Sequence, residues 1–209
     1  MKKVLRLFPL LFAGALVFSG GGIFGFGWRA AGDGLVLAQQ SDVESKKIVP
    51  FVPTPQDVVE RMLALAQVKK GDVVYDLGSG DGRIVITAAK KYGVKAVGFE
   101  IDPDLLRQSR ESIRKEGLEK LAEIREQDIL TVDLSAATVV TMYLLPEVNL
   151  RLRPNVLRQL KPGSRLVSHD FDMGDWKPLK VEHIKDSSGW DHTIYLWRIE
   201  KQAGNRDYR

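Results

Sequence analysis

Apolar and polar positions along the chain fall into two alternating rhythms. "GDVVYDLG" is a short, almost wholly apolar run bounded by Gly71 and Gly78, the pattern of a strand covered on both faces. "RIVITAAKKYG" then reads as a helix ending at Gly93, "KAVGFE" as a second buried strand, and "DPDLLRQSRESIRKEG" as a helix opened by Asp102 and closed by Gly117. The alternation continues through "LAEIREQD", a less apolar strand, and "ATVVTMYL", a strongly apolar one. "EVNLRLRPNVLRQL" follows as a helix interrupted or staggered near Pro154, and "SRLVSHDF" as a further central strand. Upstream, Thr54 can cap a helix with Pro55 at its first position and Val58, Val59, Met62, Leu63, Leu65 and Ala66 as its apolar stripe. The last two β-rich runs, "LKVEHIKD" and "DHTIYLWRIE", are joined by "SSGW" and predict an antiparallel hairpin. This order predicts a doubly wound α/β domain: a mostly parallel sheet with helices on both faces, extended by that hairpin.

The N-terminus breaks the rhythm. A basic start is followed by an uncharged stretch from Leu7 to Trp28 and by "VLAQQ", which resembles a signal-peptidase cut. The expected division is a signal peptide or membrane anchor over 1–40, a linker and lid loop over 41–54, the folded domain over 55–200 and a polar tail over 201–209. Lys2, Lys3 and Arg6 would stay in the cytoplasm, so the domain is expected to be exported or membrane-anchored, with an organelle or the cytoplasmic membrane face as alternatives. The formal charge of +4 shrinks to +1 once residues 1–40 are set aside. Nucleic acid is therefore not expected as a partner, and a monomer is. Cysteine is absent, which excludes disulfides, thiolate zinc and a cysteine nucleophile. His183 and His192 are not spaced with carboxylates along the chain as a metal site demands, so no metal is expected.

The stretch "VVYDLGSGDGR" carries the chemistry. Gly78, Gly80 and Gly82 give G-x-G-x-G, where the dinucleotide fingerprint needs G-x-G-x-x-G. Asp76 and Asp81 beside that turn would repel a pyrophosphate but favour a ligand bearing an ammonium and a positive sulfur. Glu100 ends the second strand, where a carboxylate can accept from both ribose hydroxyls, and Asp128 ends the third, where it and Ile129 can meet an adenine.

"DLGSGDGR", "VGFEIDP" and "REQDIL" together resemble the class I S-adenosylmethionine-dependent methyltransferases, Rossmann-like enzymes, from about Pro50 to Ile199. With "FVPTPQDVV" and "SHDFDMGDWKP", the chain is similar to a narrower group. It contains bacterial methyltransferases of undefined substrate and mitochondrial protein-lysine methyltransferases acting on membrane carrier and ATP synthase ring proteins. The resemblance implies S-adenosylmethionine as cofactor. Asp76, Gly78, Ser79, Gly80 and Gly82 would hold its methionine end, Glu100 the ribose, and Ile101, Asp128 and Ile129 the adenine. Asp81 and Arg83 would shape the loop.

Methyl transfer from an activated sulfonium needs alignment, dryness and a deprotonated acceptor, with or without a dedicated base. The acceptor is expected near Tyr143 and Phe51, an aromatic wall for a flat or cationic group. His169 as a proton acceptor and Asp170 as a partner for an ammonium complete the candidate catalytic set with Tyr143. "MYLLPE" stands where enzymes acting on amide or nucleobase nitrogens carry N/D-P-P-Y/F, which argues against those acceptors. A lysine of a membrane-associated protein is the first expectation. A small molecule or lipid, and cofactor binding without transfer, are the alternatives.

Overall fold

The computed structural model describes residues 51–200, so the expectations for 1–50 and 201–209 lie outside the described residues. Among the described residues, seven strands form one sheet in the order β3-β2-β1-β4-β5-β7-β6. They are β1 (Val73–Leu77), β2 (Lys95–Glu100), β3 (Ala122–Glu126), β4 (Val139–Met142), β5 (Arg165–His169), β6 (Lys180–Lys185) and β7 (Asp191–Arg198). Helices α1 (Gln56–Leu65), α2 (Arg83–Tyr92), α3 (Pro103–Lys115) and α4 (Pro146–Gln159) cover it. The first five strands are mutually parallel, and β7 runs antiparallel between β5 and β6. This is the expected doubly wound fold with its terminal hairpin.

Alternate strand residues feed two apolar layers. Val74, Ala96, Val139 and Val167 pack with α1, α2 and α3, whereas Tyr75, Val97, Val140 and Leu166 pack with α4 and the 129–137 segment. That two-sided burial is why the central strands read as unbroken apolar runs.

Two local expectations are corrected. Helix α4 runs unbroken through Pro154. The proline sits on the exposed side, so its missing N–H and displaced carbonyl partner face solvent. Thr54 does not cap α1: Pro55 holds the cap position without a side-chain bond, and the Thr54 hydroxyl is paired with His169 instead.

One buried ion pair ties the sheet's amino-terminal rim together. Arg165 at the start of β5 donates to Asp72 ahead of β1 and to the carbonyls of Ala66 and Gln67, while Thr138 ahead of β4 also donates to Asp72. Burial opposes ionisation of Asp72, but Arg165, the Lys69 amide and Thr138 outweigh it and hold the carboxyl below its usual range. A depressed carboxylate stabilises above its unfolded pKa of about 4 and loses that contribution as pH falls. Arg165→Met should lower the unfolding free energy by about 2–4 kcal/mol at pH 7, since it strands a buried charge. Urea titration should show the double variant with Asp72→Ala losing less than the two single losses combined.

Candidate active site

Sheet order reverses beside β1, whose neighbours are β2 and β4, and the crevice outside the carboxyl ends of such strands is where ligands bind. A cavity of ≈ 340 Å³ lies there, walled by Asp76, Gly78, Ser79, Glu100, Ile101, Asp128, Ile129 and Tyr143, with Phe51 to Thr54 across its mouth.

The turn after β1 has the conformation its glycines predict. Gly78, Gly80 and Gly82 all have positive φ, at 75°, 54° and 81°. The amides of Gly78 and Ser79 both donate to the Phe99 carbonyl, which presses the turn against β2. A side chain at Gly98 on β2 would strike Ser79 Oγ at 2.5 Å, a close approach that sequence reading did not register. Glu100 locks the arrangement: one oxygen accepts the Gly80 amide at 2.8 Å, the other the amides of Ile101 and Asp102. Gly80 and Gly82 stand behind the cavity wall, Gly80 beneath the Phe51 ring and Gly82 against Ser109 of α3. The other expected cofactor residues line the cavity itself.

Charge identifies the kind of ligand that fits. Asp76 is 2% exposed and bonded to Thr141. Burial above all, with the Glu100 and Asp81 charges added, pushes its carboxyl up to about 7 against the opposing effect of the Thr141 bond. Asp76, Asp81 and Glu100 thus converge, and Ser79 Oγ is buried in the same wall without a protein partner among the described residues. A cationic nucleoside satisfies this set and a pyrophosphate does not. Asp128 caps the short turn Ile129–Thr131 by accepting the Leu130 amide and is an exposed residue of the cavity wall. Asp81 pairs with Arg83, and Arg83 donates to the Thr54 carbonyl at 2.7 Å, holding the 51–54 segment over the cavity.

The expected catalytic residues cluster at the far wall, where only Tyr143 lines the cavity. Its ring lies 3.9 Å from that of His169, and its hydroxyl donates to Asp170 at 3.3 Å. Burial and the Asp170 charge raise the Tyr143 pKa, so the phenol keeps its proton. Asp170 is held at φ 59°, a left-handed conformation for a residue with a side chain, and accepts the Thr193 amide. His169 is fully buried, and burial above all brings its pKa down to about 4. It stands behind the wall as a neutral ring bonded to Thr54 on one side and His192 on the other.

His192 and Asn149 are site residues that sequence reading missed, and Thr54, expected as a helix cap, joins them through His169. His192 arrives because β7 runs antiparallel to β5, with Ile194 opposite His169. Asn149 on α4 donates to the carbonyls of Phe171 and Asp172 and so fixes the loop after β5. Ligand-type atoms of His169, Asp170 and His192 lie within 4.8 Å of one another, a convergence that spacing along the chain does not reveal.

A cation entering this cavity should displace the proton on Asp76. Calorimetric titration with S-adenosylmethionine in buffers of different ionisation enthalpy should show release of about half a proton at pH 7, with affinity rising as pH increases from 6 to 8. Asp76→Asn should abolish the release. Proton uptake, or a buffer-independent enthalpy, would show that the cation does not sit by Asp76.

Comparison with known proteins gives this geometry a family. Residues 76–180 match the family model described as ANTKMT methyltransferase domain. The chain is 49% identical over 152 residues to a protein-lysine N-methyltransferase of Saccharolobus islandicus, covering 72% of this chain and 94% of that one. It is 35% identical to a human ATP synthase lysine N-methyltransferase over 73% of this chain, and spans 65% of that longer relative. The crystal structure of an RNA methyltransferase from Salinibacter ruber in complex with S-adenosyl-L-homocysteine is 51% identical with a TM-score of 0.68, covering 76% of this chain and 99% of that one. That structure holds the product nucleoside of methyl transfer, and S-adenosylmethionine is the cofactor. The chain belongs to the ANTKMT methyltransferase domain family and is a class I S-adenosylmethionine-dependent methyltransferase.

Proposed function

We propose that the enzyme methylates the side-chain nitrogen of lysine in a membrane-associated protein. The observation that carries this reading is the 49% identity to a protein-lysine N-methyltransferase across 94% of that relative's length. Relatives that act on ATP synthase and on adenine nucleotide translocase, at 35% and 32% identity, point the same way. The site's chemistry agrees. Tyr143 offers an aromatic face at the cavity wall, and its hydroxyl donates to the Asp170 carboxylate, features suited to a long side chain ending in an ammonium.

The cofactor supplies, when bound, a methyl group already activated on sulfur. The chain's own residues bind and align. Glu100 and Asp128, which line the cavity, would take the ribose and adenine, Asp76 the cationic end, and Phe51 to Thr54 would exclude water over the reaction. The 1–40 segment underlies the further proposal that the domain is exported or held at a membrane. Among the described residues no helix is long and apolar enough to cross a membrane.

RNA is a second reading, favoured by the 51% identity to the Salinibacter ruber protein, which is described as an RNA methyltransferase. The near-neutral body and "MYLLPE" after β4 weigh against it. The full chain, incubated with methyl-labelled S-adenosylmethionine and separated membrane protein, soluble protein, RNA and lipid fractions, should label membrane protein. Acid hydrolysis should return the label as methyllysine. Label confined to RNA, lipid or small molecules would reject the lysine reading.

A further inference from the structure

Four polar side chains run from the cavity wall to the β6–β7 turn in one line, and three of them lie outside the cavity lining. The Thr54 hydroxyl lies 3.1 Å from His169 Nδ1, His169 Nε2 lies 2.9 Å from His192 Nδ1, and His192 Nε2 lies 3.3 Å from Asp186 Oδ2. Thr54 lines the cavity and Asp186 sits where β6 turns into β7. Resting on the lysine reading above, we propose that Thr54, His169, His192 and Asp186 form a one-way proton exit that deprotonates the acceptor ammonium.

The direction follows from hydrogen-bond bookkeeping. Burial opposes ionisation of Asp186, but the amides of Trp190 and Ser188 and the His192 ring outweigh it and keep the carboxyl below its usual range. An ionised carboxylate only accepts, so His192 carries its proton on Nε2. With one hydrogen on each ring, His192 Nδ1 is bare and accepts from His169 Nε2–H at 2.9 Å. His169 is left with a bare Nδ1, which must accept from the Thr54 hydroxyl. Each bond therefore points outward, from cavity to turn, and every ring nitrogen is satisfied. Burial keeps His169 neutral at rest, so it passes a proton without storing one.

Transfer completes the line in the direction a lysine needs. The ammonium N–H breaks as the Thr54 oxygen takes its proton, and the Thr54 hydroxyl gives its own to His169 Nδ1. His169 Nε2–H passes to His192 Nδ1, and His192 Nε2–H passes to Asp186 Oδ2, which releases it to water; each ring is left with its hydrogen on Nδ1 and returns to the starting tautomer by proton exchange between turnovers. The lysine nitrogen keeps the electron pair it needs as nucleophile. Asp170 Oδ2, 3.3 Å from His169 Nε2 and 3.7 Å from His192 Nδ1, stabilises the imidazolium that forms in passing, and Tyr143 donates to the same oxygen. Asp57, which accepts the Ser187 amide, and the Lys185–Asp191 pair are further charged groups bonded at the turn.

The substrate-free test is the tautomer of each ring in the full chain with S-adenosylhomocysteine, read by long-range proton–nitrogen correlation on nitrogen-15 histidine. Both His169 and His192 should carry hydrogen on Nε2. A proton on His169 Nδ1, or bare facing nitrogens filled by a metal on addition of zinc, would overturn the exit. With the methyllysine acceptor found by labelling, Thr54→Val and Asp186→Asn should each lower kcat at pH 7 by about ten-fold or more while leaving KM and S-adenosylhomocysteine affinity within about two-fold. Thr54→Ser should restore turnover. The deficit should shrink as pH approaches about 10, where free lysine sheds its proton unaided. A loss of equal size at every pH would mark a structural role and overturn the proposal although lysine is methylated. Label found only in RNA or lipid removes the ammonium itself, and that failure appears before any variant is made.

Discussion

Glu100 makes three backbone hydrogen bonds that join the two halves of the cofactor wall. It accepts the Gly80 amide from the turn after β1 and the Ile101 and Asp102 amides from the turn after β2. Bonds of this kind, with a charged acceptor, contribute roughly 1.5–3 kcal/mol each. They also hold the glycine turn in its left-handed conformations, close enough to β2 that Gly98 has no room for a side chain. The cavity is thus shaped before any ligand enters, and the carboxylate that shapes it retains lone pairs for a diol.

The cost of that arrangement is electrostatic. Asp76, Asp81 and Glu100 crowd one crevice, and the most deeply buried of them, Asp76, is forced towards its neutral form near neutrality. A positively charged ligand removes the conflict, which makes the same unfavourable charge density a source of selectivity. Across the cavity, Tyr143 lines the wall and donates to Asp170 behind it, while the 51–54 segment is tied down by Arg83 and by the Thr54–His169 bond. In the proposed reading, donor and acceptor would meet from opposite sides of the switch point beside β1.

What could be read in the sequence was local. The apolar runs announced the strands, and three glycines at alternate positions announced a turn in which each has positive φ. Glu100 and Asp128 could be placed because parallel strands bring their carboxyl ends to one rim. Thr54 looked like a helix cap because capping depends on neighbours in sequence, whereas its actual partner, His169, is 115 residues away. His192 and Asp186 were hidden for a related reason: only the antiparallel register of β7 against β5 and β6 carries them to the parallel rim. Pro154 misled in the opposite way, since a proline on an exposed helix side leaves no buried bond unmade.

Carboxylates at the ends of β1, β2 and β3 would together hold a cationic nucleoside in one orientation. A crystal structure of the full chain with S-adenosylmethionine tests it most directly. In that crystal both ribose hydroxyls should lie within hydrogen-bond distance of Glu100, the adenine between Ile101 and Ile129 with Asp128 at its edge, and the methionine ammonium on the Asp76 side of the glycine turn. Ribose away from Glu100, or the sulfonium end beside Asp128, would contradict it.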